Sequence, residues 1–283
     1  MSIKPPGAIE LLGVNIRFGE GATGVEAIRH LDLSIAPGEF VSVLGPSGCG
    51  KSTLVGAIAG LQRVTSGTVL VDGAAVRGPG PERGVVFQSH TLFPWKTAAA
   101  NVEFGLKMRG VDRAERSGAA RGILRYVGLE EFADRLPGEL SGGMQQRVNL
   151  ARVLVNKPRV LLMDEPFAAL DAQTRLLMQE LLLQLWSEFR MTVVFVTHDI
   201  DEAIFLSDRI VVLSQRPAEI REEITVALPR PRSELDLTSQ TFMQAKRRCL
   251  ELLRNPKQET GSVFWKTNFP EETLTSVVPA SIR

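Results

Sequence analysis

The stretch Gly45-Pro46-Ser47-Gly48-Cys49-Gly50-Lys51-Ser52-Thr53 constrains this chain more than any other. It fits G-x-x-x-x-G-K-[ST], the pattern of a loop that cradles phosphate. Small residues let the backbone wrap close around an anion, because no Cβ blocks the turn. Consecutive N–H groups then converge on one hollow, with the positive end of a helix beneath it. Phe40-Val41-Ser42-Val43-Leu44 ahead of the loop reads as a buried strand, and Thr53 to Leu61 after it as a helix. Strand, glycine loop and helix are the setting the motif needs. In such a site Lys51 reaches the β- and γ-phosphates of a nucleotide, and the Ser52 hydroxyl ligates Mg²⁺. The plainer reading is a glycine-rich turn that caps a helix.

The ends of later strands weigh against that plainer reading. Val160-Leu161-Leu162-Met163 is an apolar run, read as a buried parallel strand, and it runs into Asp164-Glu165-Pro166. Two adjacent carboxylates at a strand's end are costly unless a cation or a reaction uses them. Successive residues of an extended segment point apart. Asp164 can therefore face the Mg²⁺ water shell while Glu165 faces a water attacking the γ-phosphate. A solvated acidic loop is the alternative. Thr192 to Val196 reads as the next buried strand, followed by Thr197-His198-Asp199. A lone histidine is usually structural; one standing beside other polar strand ends can hydrogen-bond a γ-phosphate.

Val85-Val86-Phe87 reads as a short buried strand that ends at Gln88. A polar amide just past a strand's carboxyl end sits where open α/β sheets bind ligands. Gln88 then reaches Mg²⁺ or the attacking water, or it is an ordinary loop glutamine. His90 has no identifiable partner and reads as surface. Phe18 ends an early strand upstream of the loop. It either stacks on adenine, using contact area rather than hydrogen-bond readout, or fills a core or sheet-edge position.

A second glycine-rich helix start is Leu140-Ser141-Gly142-Gly143, ahead of Met144-Gln145-Gln146-Arg147. Ser141 and free N–H groups there make another anion site, unless Ser141 is simply an N-cap. One phosphate loop already serves the chain, so a second site suggests that two copies meet and share nucleotides. Ala168-Ala169-Leu170-Asp171 leads into a long helix, with Asp171 as its N-cap. Leu177, Met178, Leu181, Leu182, Leu185 and Trp186 form an apolar stripe on that helix and are expected in the core.

With 283 residues the chain can hold one large α/β domain and an appendage. Basic and acidic residues nearly balance, 33 against 32, which argues against a dedicated nucleic-acid binder. Cys49 and Cys249 lie far apart and offer no disulfide framework or zinc spacing. This fits a reducing cytosol. Met1 to Gly7 lacks the apolar core of a secretion signal. No apolar run approaches the roughly 20 residues that span a bilayer. A membrane role must come through a partner.

The organisation follows from these signals. Residues 1–88 and 158–214 are expected to form a nucleotide-binding core with a small antiparallel β subdomain, and 89–157 a helical insertion. Phe93-Pro94-Trp95 is an apolar knob on that insertion, either a partner site or part of its own packing. Residues 215–254 read as a hairpin around Arg216-Pro217, a stiff basic connector at Leu228-Pro229-Arg230-Pro231-Arg232, and an amphipathic helix. Residues 255–283 have no clear period and are expected to be poorly ordered or bound to a partner.

In this order, the phosphate loop, Gln88, Leu140-Ser141-Gly142-Gly143, Met163-Asp164-Glu165-Pro166, Ala169-Leu170-Asp171 and Thr197-His198-Asp199 resemble an ABC transporter ATPase subunit. The resemblance covers about Ile9 to Leu213. It implies the P-loop ABC-ATPase fold: a RecA-like core sheet, a small antiparallel β subdomain and an inserted α-helical subdomain. It implies ATP and Mg²⁺ as cofactors, with Ser52, Gln88 and Asp164 toward the metal. Phe18 resembles the adenine-stacking aromatic, and Gln88 the switch glutamine that links nucleotide to the membrane partner. Ser141, Gly142 and Gly143 resemble the signature that closes on ATP held by the opposite subunit. Glu165 resembles the general base, Asp171 the cross-interface aspartate and His198 the γ-phosphate switch. Met144 departs from the usual glutamine of that signature, but the anion site needs only the serine and glycine backbone.

Met144, Phe93-Pro94-Trp95, Asp164-Glu165-Pro166-Phe167 and the Leu228–Arg232 segment are similar to one importer branch, which serves nitrate, aliphatic sulfonates and taurine. The partners implied are a second copy packed head to tail, transmembrane permease subunits and, indirectly, a solute-binding protein, with the chain peripheral at the cytoplasmic face of the cell membrane. Two other classes are weighed. An ABC ATPase acting on DNA or ribosomes would carry a long coiled coil between loop and signature, or a second cassette; only Ser52 to Glu139 intervenes, and no second glycine loop follows. A regulatory module without turnover would not need Glu165 and His198.

Overall fold

The computed structural model describes residues 6–19, 24–88 and 91–254. The expectations for the tail 255–283, for His90 and for the extreme N-terminus lie outside the described residues.

Strands β1 (Ile9–Phe18) and β2 (Val25–Ile35) form an antiparallel hairpin. Strand β3 (Phe40–Leu44) then leads through the phosphate loop into helix α1 (Lys51–Ala59). Strands β4 (Ser66–Val71) and β5 (Ala74–Ala75) return to the hairpin and complete a four-stranded sheet in the order β2-β1-β4-β5. The turn between β4 and β5 is Asp72-Gly73, with both residues at positive φ.

The second sheet has the order β10-β9-β3-β8-β7-β6. Its members are β3, β6 (Arg83–Val86), β7 (Val160–Asp164), β8 (Thr192–Val196), β9 (Arg209–Leu213) and β10 (Ile220–Thr225). All pair in parallel except β10, which runs antiparallel beside β9. β3, β7 and β8 are runs of mostly apolar residues because helices or a second sheet cover both faces. The two-residue period divides them. Val41, Val43, Leu162, Val194 and Val196 pack with α1 and the antiparallel sheet. Phe40, Leu161, Met163, Val193 and Phe195 pack into the other cluster, against the later helices.

Between β6 and β7 lie α2 (Ala98–Met108), α3 (Arg113–Tyr126) and α4 (Gly142–Leu154), which pack on one another. α5 (Ala172–Phe189) connects β7 to β8, α6 (Ile200–Leu206) connects β8 to β9, and α7 (Gln240–Leu253) follows β10. Thr97, Asp112, Ser141, Asp171, Asp199 and Ser239 each accept a hydrogen bond from the first turn of the helix they precede. α1 alone among these helices opens on a glycine with no side-chain cap. Its first N–H groups stay available to an anion. No helix among the described residues is long and apolar enough to cross a membrane.

Several expectations change. α1 begins at Lys51 rather than Thr53, so the lysine belongs to the helix. The strand ending near Gln88 is the edge of its sheet and only Val86 is fully buried, while Phe87 lies beyond it and is exposed. A neighbour on one side only leaves an edge strand partly open. Leu177 is exposed on α5, whereas Met178, Leu182 and Leu185 are fully buried; six residues made the predicted stripe wider than the face α5 buries. The hairpin of β9 and β10 is not separate from the core, because β10 is the sheet's antiparallel edge.

The stiff Pro-Arg connector is packed against the core through its arginines. Arg230 pairs with Asp208 at 2.8 Å, and its guanidinium lies 4.1 Å from the centroid of Trp186. Arg232 is buried and donates to the carbonyls of Ile204, Phe205 and Ser207, around the end of α6. Burial holds the Arg232 guanidinium down to about 10. Removing its donors strands buried carbonyls. Arg232→Met is therefore expected to lower unfolding free energy by about 1.5–3 kcal/mol, read from the urea midpoint at unchanged slope.

Candidate functional site

The carboxyl ends of β3, β7 and β8 lie level. Val43 pairs with Val196, and Val196 with Asp164. Residues just past these ends therefore share one rim of the sheet, where open α/β sheets bind ligands. The loop from Gly45 to Gly50 leaves β3 there. Gly48 and Gly50 have φ of 71° and 128°, values that L side chains rarely adopt. A Cβ on Gly50 would also stand 3.0 Å from the Ala27 carbonyl oxygen of β2. Pro46 accepts a hydrogen bond from the Cys49 N–H, closing the turn. Ser47 is exposed.

Lys51 is almost completely buried, and its Nζ donates to the carbonyls of Gly45 (2.8 Å) and Pro46 (3.1 Å). The ammonium thus sits inside the curl of the loop. Cys49 is buried, and that burial pushes its thiol up, which suits packing and not nucleophilic chemistry. Thr53 lies in the first turn of α1, partly buried.

The Ser52 hydroxyl faces the Asp164 carboxyl and favours its charged form. Burial raises the Asp164 carboxyl above its ordinary range against the pull of the Ser52 hydroxyl, and the neighbouring Glu165 charge raises it further. The chain then turns sharply. Glu165 has φ of 46°, a left-handed conformation that is uncommon outside glycine, and its N–H donates to the Val196 carbonyl. The turn sends the two carboxylates to different partners. Glu165 Oε2 lies 3.0 Å from His198 Nδ1. A carboxylate can only accept, so Nδ1 carries the proton and donates, and the exposed ring keeps Nε2 for another partner.

Ser141 opens α4 and accepts from the Met144 N–H at 3.3 Å. Ser141 and Gly142 are exposed. Gly143 faces α5, where a Cβ would stand 2.6 Å from Thr174 Cγ2, so the two helix starts approach closely only with glycine there. Asp171 caps α5 through the Thr174 N–H at 3.0 Å. Its carboxyl is held below the usual range, chiefly by the Thr174 side-chain hydrogen bond. Gln146 of α4 is buried and donates to the Pro166 carbonyl, one residue past Glu165.

Lys51, Ser52, Asp164, Glu165 and His198 therefore share one rim. Ser141, Gly142 and Asp171 form a second cluster at the adjoining starts of α4 and α5. Phe18 is exposed and pairs with Val25, two residues or about 7 Å along β2 from Ala27, so it stands at the hairpin end that borders the loop. Gln88 is exposed past β6. Phe93 packs 4.7 Å from Phe104 while Trp95 is 72% exposed, so the apolar knob divides between the two readings.

Sequence reasoning missed Arg216, which donates from the tip of the β9–β10 hairpin to the Gly48 carbonyl at 2.8 Å. That tip is held against β2, with Ala218 N–H donating to Ala27 and Arg29 N–H to Ala218. Arg216-Pro217 signalled a turn, but nothing local says which loop a turn will meet.

Residues 28–168 match the family described as ABC transporter. Over 221 residues the chain is 49% identical to the nitrate import ATP-binding protein NrtD of Synechocystis, covering 78% of this chain and 83% of that protein. Over 196 residues it is 51% identical to the taurine import ATP-binding protein TauB of Rhizobium johnstonii, covering 69% of this chain and 75% of that one. A solved dimeric structure of an ATP-binding cassette in a post-hydrolysis state, bound to ADP and Pi, superimposes with a TM-score of 0.69 at 35% identity. It covers 78% of this chain and 100% of that one.

Proposed function

This chain belongs to the ABC transporter ATP-binding proteins, and on that premise we propose that two copies close head to tail on ATP and drive uptake of a small anionic solute through separate permease subunits. The chain is an ATPase of that family. The observation that carries the reading is the meeting of Lys51, Ser52, Asp164, Glu165 and His198 on one rim, apart from an exposed Ser141 and Gly142.

The loop N–H groups and Lys51 hold the β- and γ-phosphates. Phe18 offers its face to the adenine. Glu165 accepts the proton of the attacking water. His198 holds Glu165 through Nδ1 and leaves Nε2 for the γ-phosphate. The exposed start of α4 presents Ser141, Gly142 and Gly143 to the nucleotide of the facing copy, with Asp171 beside it.

The donors present fit Mg²⁺. That ion takes one or two protein oxygens and completes its shell with phosphates and water. Ser52 and the half-buried Asp164 supply such a pair, with Gln88 at the same end of the sheet. No cluster of three or more His, Cys, Asp or Glu is found among the described residues. When bound, the ion draws charge from the β- and γ-phosphate oxygens.

The solute class rests on the relatives, one named for nitrate import and one for taurine import. The chain itself never touches the solute, and it works at the cytoplasmic face of the cell membrane. The test is uptake in cells that express the chain with its permease and binding protein. Nitrate, taurine or an alkanesulfonate is expected to accumulate with the native chain and not with Lys51→Ala. Transport of none of them by an assembly that still hydrolyses ATP would overturn the solute assignment. Hydrolysis stimulated by DNA or RNA and lost at moderate salt would favour the nucleic-acid class instead.

A further inference from the structure

Arg175, one turn into α5, is shared among three groups. Its Nη2 donates to the Leu170 carbonyl at 3.0 Å, and its Nη1 to Asp199 Oδ2 at 3.4 Å. Its Nε lies 3.8 Å from Glu202 Oε1. Leu170 directly precedes Asp171, and Asp199 directly follows His198. One planar guanidinium therefore spans the loop that carries Asp171 and the loop that carries His198. Its rigid planar fork aims two separate nitrogens at acceptors on two different loops, a fixed geometry that the single flexible nitrogen of a lysine does not supply.

The other side of the His198 loop is held by the same cluster. Glu202 is buried, and its Oε2 accepts from the Thr197 hydroxyl at 2.6 Å. Its Oε1 accepts from Gln179 Nε2 at 3.2 Å, one turn beyond Arg175. Thr197 Oγ1 in turn accepts from the Asp199 N–H. Burial pushes the Glu202 carboxyl up, against the pull of the Thr197 hydrogen bond. A buried carboxylate with these partners keeps its neighbours in one arrangement, because losing any of them strands a polar group. His198 is thus fixed on both flanks by side chains anchored to α5, while its own ring is free except for Glu165.

We propose that Arg175 is a positioning residue that couples the Asp171 loop to the His198 loop, so that engagement of the facing copy at Asp171 holds His198 in the contact it already makes with Glu165. This rests on the head-to-tail reading above. Arg175 acts through His198 and not by touching nucleotide or water. A coupling of this kind changes the chemical step more than the binding of ATP.

The test compares kcat and KM for ATP in Arg175→Met, His198→Ala and the double variant. Arg175→Met is expected to lower kcat roughly tenfold with KM within about twofold of native. The double variant is expected to be no slower than His198→Ala alone, since residues acting through one another are not additive. An unchanged kcat, or losses that multiply in the double variant, would overturn the proposal. Should Arg175→Met fail to fold, Arg175→Lys keeps the charge, loses the fork and carries the same comparison. A purely structural role would lower the unfolding midpoint without this dependence on His198. Gel filtration of Glu165→Gln chain with ATP tests the head-to-tail reading separately. A persistent monomer there would refute that reading and leave the kinetic coupling of Arg175 to His198 to be judged by its own numbers.

Discussion

Glu165→Gln chain is expected to bind ATP with near-native affinity, to turn over roughly 10²–10⁴-fold more slowly, and to elute as a dimer only when ATP and Mg²⁺ are present. The substitution keeps size and shape but removes the carboxylate oxygen that we propose takes the proton from water. His198 Nδ1 can still donate to the amide oxygen, so the 3.0 Å contact has a surviving partner. The phosphate loop and the Ser52–Asp164 pair are untouched. Binding and catalysis should therefore separate, with kcat falling and KM little changed. If closure on ATP draws two copies together and hydrolysis releases them, blocking hydrolysis holds the closed state. Phosphate release measured against gel filtration reads both halves. Near-native turnover would remove Glu165 from the role of base. A monomer in saturating ATP would remove the facing copy.

Lys51→Ala should fail one step earlier. Nucleotide binding itself is expected to weaken, and kcat/KM to fall by about 10³-fold or more, on the order of 4 kcal/mol of lost transition-state stabilisation. The reason lies in the burial of the ammonium. It sits in the curl of the loop on the Gly45 and Pro46 carbonyls, where low dielectric strengthens its pull on a phosphate. Removing it also leaves those two carbonyls without their donor. Arg216 donates to Gly48 from outside the loop and does not replace the charge within it. Titration with a fluorescent ATP analogue measures the binding loss, and phosphate release the rest. A Kd within twofold of native would show that the loop N–H groups suffice.

The two variants differ in kind. One should keep the dimer and lose the chemistry, and the other should lose both. Measured side by side they separate the phosphate grip from proton transfer.

What could be read from the sequence was the local chemistry. A phosphate loop must be glycine-rich over adjacent positions, because Gly48 and Gly50 need their positive φ. A buried parallel strand must be an apolar run, so polar residues at its end stand out. Asp164, Glu165 and His198 were visible for that reason, and the sheet's register brings them to one rim. Ser141 and Asp171 were visible as helix starts, because capping is a matter of three or four consecutive residues.

Groups whose partners are distant in the chain were not readable. Arg175 meets Asp199 across 24 positions and Arg216 meets Gly48 across 168. Arginine and proline in Leu228–Arg232 suggested a stiff basic connector, and nothing local showed that Arg232 is buried on the carbonyls around the end of α6. Leu177 looked like core because its neighbours do; only the packing of α5 shows that its face ends one residue short. Periodicity reports which face is apolar. It does not report how much of that face a neighbour covers.

Where the triphosphate lies decides whether two copies share it. A structure of Glu165→Gln chain with MgATP measures this directly. Two nucleotides are expected at the junction of two copies, each touched by Lys51 of one protomer and Ser141 of the other. A nucleotide held by Lys51 alone, with Ser141 of every copy facing solvent or an unrelated surface, would contradict it.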